Sequence, residues 1–216
     1  MGSMTTELTQ KMRVDARHNR SHLVEVARAA FAQDGLGVPM REVARRADLG
    51  VATLYRHFPT RDDLIRAAFV DQVDACTAFV CAAGDDPDPW RGLTRVVDEV
   101  CRRQAFDHGF NAAVLGSAAT AVLFAEERAQ NQAVLIELVR RAQVHQMVRP
   151  DVTVEDLWLL LAATAAVGGA TPDDTWVKVR RLATLVLGGM RARPGSPVDR
   201  LPTRRPADPS QPSATS

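Results

Sequence analysis

Residues 38–61 read VPMREVARRADLGVATLYRHFPTR, and this stretch decides the fold. Pro39 sits at the first turn of a short helix ending near Ala47, where a missing N–H does no harm. Asp48, Leu49 and Gly50 form a three-residue turn, and a second short helix runs from Val51 to about Phe58. Pro59 stops it. Thr60 caps the next helix, with Asp62 and Asp63 near that helix's positive end. Two short helices joined by such a turn have the dimensions of a helix-turn-helix. Small Ala44 and Ala47 let the pair approach closely, while Val43, Leu49, Leu54 and Phe58 supply the apolar contacts. The second helix then leaves Val51, Ala52, Thr53, Arg56 and His57 facing outward. Small groups, a hydroxyl, a cation and an imidazole suit a groove of DNA better than a protein core.

Upstream, Asn19 caps a helix over 19–33 whose apolar side is Leu23, Val26, Ala27, Ala30 and Phe31, at 3.6-residue spacing. Residues 1–16 are polar without a sustained period and read as a mobile arm. Downstream, helices are expected over 61–82, 90–105, 110–120, 124–147, 154–167 and 172–191, separated by Gly/Asp/Pro breaks. Thr153 caps the helix that opens at Val154. Six of the twelve prolines fall in the last 23 residues, so 193–216 reads as a disordered tail. No strand pattern is visible. The expected fold is all-α: a three-helix N-terminal domain with its helix-turn-helix over 17–60, and a larger helical bundle over 61–192.

The chain has 216 residues, 46% hydrophobic and 25% charged, ordinary values for a globular protein. Its 27 basic and 26 acidic side chains nearly cancel, but not locally: residues 1–61 carry +4 and the rest −3. A basic end on a near-neutral chain is the electrostatic footprint of a DNA reader. No apolar run reaches the roughly 18 residues of a membrane span. No basic stretch leads into an apolar one at the start, so neither membrane nor signal peptide is expected, and the cytoplasm is the expected home. Cys76, Cys81 and Cys101 make no disulfide framework. Cys76 and Cys81 would lie about 140° apart around a helix, so they share no metal. Without a metal, phosphate-loop or nucleophile motif, neither enzyme activity nor a cofactor is expected.

Leu54-Tyr55-Arg56-His57-Phe58, followed by Arg61 and Leu64, resembles the signature of the TetR family of transcriptional regulators. Ala29-Ala30-Phe31 ahead of a Gly-rich turn, then Val43-Ala44, matches as well, and the spacing holds from about residue 19 to 67. The remainder resembles the family in architecture, and is similar to actinobacterial members of its SbtR-like C-terminal class. By this resemblance Arg41 matches a position that reads guanine through two hydrogen bonds. Val51 and Ala52 match base-edge or thymine-methyl contacts. Thr53, Tyr55 and His57 match backbone phosphate contacts, and Arg61 matches a phosphate-gripping residue opening the fourth helix. Asp48 stands where glycine is common, in a turn whose left-handed conformation Asp tolerates. Gly50 replaces a Ser cap, and Val38 replaces a hydroxyl cap.

The resemblance implies a homodimer on a palindromic double-stranded operator, released by a small-molecule effector, most simply as a repressor. Phe79, Trp90, Phe106, Phe110, Phe124 and Trp158, with Cys101, are candidates for the lining of a pocket for an apolar effector, though each could equally be plain core. Cys76 and Cys81 read as small hydrophobes. The last two helices carry apolar stripes: Leu157, Leu160, Leu161 and Thr164 on one; Leu182, Val186, Leu187 and Met190 on the other. These either face their own bundle or form a four-helix dimer interface, and the resemblance favours the interface. Two rivals stay open: a ligand-independent or architectural DNA binder, and a helical ligand carrier or small enzyme.

Overall fold

The computed structural model describes residues 2–107, 122–192 and 201. The helix expected over 110–120, Phe110 itself, and all of the proline-rich tail except Leu201 lie outside them. Eight helices occur among the described residues: α1 (Gly2–Asp34), α2 (Met40–Arg46), α3 (Val51–His57), α4 (Arg61–Gly84), α5 (Pro89–Phe106), α6 (Ala125–Val144), α7 (Val154–Ala165) and α8 (Pro172–Met190). No strand is present among these residues, only one isolated bridge between Val148 and Arg191. The fold is all-α, as the sequence reads. Helix α1 starts at Gly2 rather than Asn19, so the stretch read as an arm continues the first helix. From Ser3 to Asp34 it contains neither Gly nor Pro and many strong helix formers. Propensity thus carries the helix past the point where its apolar period stops.

Two cores are built, and α4 belongs to both. In the head, Leu23, Ala27, Ala30 and Phe31 of α1 meet Val43 and Ala44 of α2, Leu54 of α3 and Phe58 just after it. Leu64, Ile65, Ala68, Phe69 and Val73 of α4 complete this cluster, with the Phe31 and Phe69 rings 6.2 Å apart. One to three turns further on, Cys76, Val80 and Ala83 of the same helix sit in the core of the body with α5–α8. A helix of 24 residues spans about 36 Å, so α4 is a rod with one end in each core. Its start is fixed by a capping box: Thr60 Oγ1 accepts from the Asp63 N–H, and the Asp63 carboxylate accepts from the Thr60 N–H at 2.9 Å.

The α4–α5 corner is tied by charge. The Asp86 carboxylate accepts from Arg91 (2.7 and 2.9 Å), from Arg95 and from the Asp88 N–H. The Arg91 guanidinium foremost holds its pKa down to about 2. Arg141 of α6 donates to the carbonyls of Gly84 and Asp86, both at 2.7 Å. Gly92 is needed here, because a Cβ at that position would lie 2.5 Å from the Ala83 carbonyl oxygen. α5 therefore starts against the backbone that ends α4.

Candidate nucleic-acid interface

The helix-turn-helix is closed by a backbone device. The Leu49 N–H donates to the Ala44 carbonyl (3.0 Å) and the Asp48 N–H to that of Arg45 (3.2 Å), with Asp48 in the left-handed region at φ 52. This is a Schellman ending, and it places Asp where glycine usually sits. Gly50 then caps α3 in an extended conformation, its carbonyl accepting from the Thr53 and Leu54 N–H groups. From α1, His22 Nε2 lies 3.2 Å from the Ala47 carbonyl and pins the end of α2.

Of the seven residues of α3, Leu54 alone is buried. Val51 is 42% exposed and Tyr55 48%; Ala52 and Arg56 are also exposed, with Thr53 and His57 half-buried. Folding alone gives little reason for a short helix to hold an aromatic and a valine against water. Arg41 is exposed on α2 and Arg61 half-buried at the start of α4, on either side of α3 in the chain. All eight residues singled out on the sequence for DNA contact thus have accessible surface on α2, α3 or the first turn of α4.

Charge sorts the neighbouring arginines. Glu42 accepts from Arg45 (2.8 Å) and Arg46 (2.8 Å), which hold its pKa down to about 2, and Arg46 also pairs with Asp34 at 2.7 Å. Arg28 donates to the Ala68 carbonyl. Arg41, Arg56 and Arg61 have no ion pair or hydrogen bond among the described residues. Arg45 and Arg46 are thus neutralised in place, while Arg41, Arg56 and Arg61 are left open.

Of the residues picked for an effector pocket, Phe79, Trp90, Cys101 and Trp158 lie in or against the body core, Phe106 and Phe124 do not join them, and Phe110 is outside the described residues. Phe79 is half-buried under the Arg95 guanidinium, beside an open cleft of about 340 Å³ that it shares with Trp176. Trp90 lies under Arg191, and Trp158 packs half-buried on the body core. Cys101 is buried with its Sγ 3.8 Å from the Thr164 hydroxyl, and burial pushes its thiol up to about 11. Phe106 is 49% exposed. Phe124 is placed elsewhere altogether: only 1% exposed, it plugs the head core. Arg66 of α4 covers its ring, donates to the Leu123 carbonyl and pairs with Glu127. Cys76 is buried, and Cys81 is half-buried with the Gln130 amide donating to its Sγ.

The stripes assigned to a dimer interface turn inward. Leu157, Leu160, Leu161, Thr164, Leu187 and Met190 are buried in the chain's own core, and Leu182 and Val186 are half-buried. Side chains already enclosed have no surface left for a second copy. The surplus apolar surface lies on the opposite faces: Leu159 (69% exposed) on α7, and Val177 (64%) and Leu185 (66%) on α8, beside exposed Ala162, Ala163 and Ala166. Leucine at four of the five positions 157–161 hid which face was outermost. Among the described residues no group of metal-ligating side chains is found, and no helix is long and apolar enough to cross a membrane.

This arrangement, a helix-turn-helix with an unpaired cationic surface carried on an all-helical body, defines a class of DNA-binding regulator. The N-terminal family model of bacterial regulatory proteins of the tetR family matches residues 23–68, and the model of the SbtR-like transcriptional regulator C-terminal domain matches residues 88–192. A TetR transcription regulatory protein from Mycobacterium vanbaalenii, of known crystal structure, is 32% identical, the alignment covering 84% of this chain and 99% of that one with a TM-score of 0.51. The TetR transcriptional regulator SCO0520 from Streptomyces coelicolor is 27% identical over 80% of this chain and 98% of its own, with a TM-score of 0.53. An HTH-type transcriptional regulator of Staphylococcus aureus is 39% identical over 54 residues, which are 24% of this chain and 29% of that protein. The similarity to such curated relatives thus spans under a third of their length. The chain belongs to the TetR family of transcriptional regulators.

Proposed function

We propose that this protein is a homodimeric repressor that reads a palindromic operator with α3 and releases it when a small molecule binds the body. The observation that carries the reading is the surface of α3: everything but Leu54 is accessible, and the cations around it, Arg41, Arg56 and Arg61, have no internal partner. Phosphates complete such cations and position the protein, while Arg41, Val51 and Ala52 read base edges. The second copy docks on the exposed face of Leu159, Val177 and Leu185, and two-fold symmetry sets the two α3 helices about 34 Å apart in successive major grooves. Its place of action is the cytoplasm, with the DNA.

Release works through α4 and the Phe124 plug. Because α4 is packed into both cores, a shift of its body end is transmitted to the head. Phe124, with Arg66 above it, gives a second fastening from the start of α6. An effector acts only by binding the released arrangement more tightly than the DNA-bound one. Gln72 Oε1, Asn131 Oδ1 and Glu127 Oε2 are buried without a hydrogen-bond partner among the described residues, on α4 and α6. They support an effector whose apolar body carries a polar group.

The test is titration of the pure protein with a labelled duplex from upstream of its own gene, against a scrambled duplex. A preference for the upstream duplex that weakens steeply with salt is expected. Arg41→Ala should lower specific affinity by about 1–3 kcal/mol and relax the preference, whereas Arg45→Ala, whose partner is Glu42, should change it far less. Equal binding of both duplexes by the wild type would remove the operator reading.

A further inference from the structure

The head's arginines differ in whether the chain itself supplies a partner, and one that lacks such a partner, Arg20, has no role yet assigned to it. Arg28, Arg45, Arg46 and Arg66 are each held by a carboxylate or carbonyl of the chain. Arg41, Arg56 and Arg61 have no such partner, and neither has Arg20. Arg20 is exposed on α1, its guanidinium carbon 4.9 Å from the centroid of the Phe58 ring. The His57 ring lies 6.4 Å from the same ring, so an α1 cation and an α3 imidazole flank one buried aromatic. Both line a cleft of about 490 Å³ between α1, the end of α3 and the start of α4. The carboxylate in that cleft, Asp63, already accepts from the Thr60 N–H and hydroxyl, so it is engaged in the α4 cap.

We infer that Arg20 is a phosphate clamp of the DNA interface, an α1 contact beside the α3 contact at His57. This rests on the reading of α3 as a DNA-facing helix. The aromatic face holds the long side chain extended and leaves the N–H groups of the guanidinium free, so that little freedom is lost when a phosphate oxygen arrives. A sealing role for the core requires only the methylenes over Phe58. A clamp requires the charge, and the two roles separate on that point.

The experiment measures the salt dependence of affinity for the upstream and scrambled duplexes with wild type, Arg20→Met, Arg20→Gln and Arg20→Lys. Methionine retains the apolar cover of Phe58 without the charge, glutamine serves if methionine fails to fold, and lysine retains the charge. For the neutral variants the slope of log affinity against log salt should become shallower by about 0.9, equally on both duplexes, because a phosphate contact carries no sequence information. Lysine should keep the wild-type slope. A steep wild-type slope left unchanged by loss of charge, or a lysine variant as shallow as the methionine one, overturns the clamp. A wild type that binds neither duplex overturns the underlying DNA reading instead.

Discussion

Head and body use arginine differently. In the body, Arg91 and Arg95 converge on Asp86, Arg102 and Arg103 on Glu99, Arg140 on Glu137 and Arg149 on Asp151. Lys178 likewise pairs with Asp174, while Arg180, Arg181 and Arg191 meet no carboxylate among the described residues, Arg180 and Arg191 lying instead over the Trp176 and Trp90 rings. In the head, Arg45 and Arg46 do the same with Glu42, but Arg20, Arg41, Arg56 and Arg61 are left open. Unpaired cations gathered on one domain repel each other, and a polyanion that binds them relieves that repulsion. The paired arginines of the body serve the fold; in the head Arg41, Arg56 and Arg61 display no such contact, and Arg20 lies over the Phe58 ring. Net charge, near zero for the whole chain, conceals the division.

Head and body are joined most firmly at Phe124, which with Leu123 reaches the head core from the start of α6. Its replacement by alanine leaves a hole in the head core, under Arg66, and should destabilise the protein by about 3–5 kcal/mol. Amide hydrogen exchange should show protection falling first in α1, α2 and the start of α4. Protection lost only in α5–α8 would mean that Phe124 serves the body, contrary to its placement.

How far this was legible differs between the regions. In the head nearly everything was: Leu23, Ala27, Ala30 and Phe31 follow a helical period, and Pro59 and Thr60 mark a stop and a start. The left-handed Asp48 was anticipated too. These are local signals, carried by residues within a few positions of each other. In the body the helices were legible but their faces were not. The leucines of α7 leave no polar face by which to orient it, so the sequence pointed at Leu157 and Leu160 where the exposed residue is Leu159. The burial of Phe124 in the head, and the need for glycine at Gly92, depend on partners distant in the chain or on a backbone approach that no period encodes.

Acid separates the two regions next. Asp86 in the body and Glu42 in the head are both held near pKa 2 by arginines, below the ordinary carboxylate value of about 4. A lowered folded-state pKa contributes stability that is present above about pH 4 and lost as the pH falls toward 2. The Asp86 side chain is only 4% exposed while that of Glu42 is 29% exposed, so solvent and salt screen the head's pair more. Asp86→Asn should flatten much of the loss of stability between pH 4 and 2, followed by denaturant unfolding, and Glu42→Gln should flatten little of it. Equal flattening would show that enclosure makes no difference between the two pairs.

The smallest effects are expected where head and body use the same backbone device. α6 ends as α2 does: the Met147 N–H donates to the Ala142 carbonyl and the Gln146 N–H to that of Gln143, with Gln146 at φ 55. Asp48 and Gln146 are the non-glycine residues in the left-handed region among the described residues. Glycine at either site removes the crowding of Cβ against the carbonyl, offset in part by the greater freedom of the unfolded chain. A gain of about 0.5–1 kcal/mol is expected for Gln146→Gly, and less for Asp48→Gly, because a short polar side chain already tolerates this conformation. Asp48 stands between α2 and α3, so its replacement also removes an anion beside the cationic surface and should tighten duplex binding slightly at low salt. Gln146→Gly should leave duplex affinity unchanged. Denaturant melts and duplex titrations of the two variants side by side check both halves; a change in duplex affinity from Gln146→Gly as large as that from Asp48→Gly would contradict the division between a region that holds the fold and a region that meets DNA.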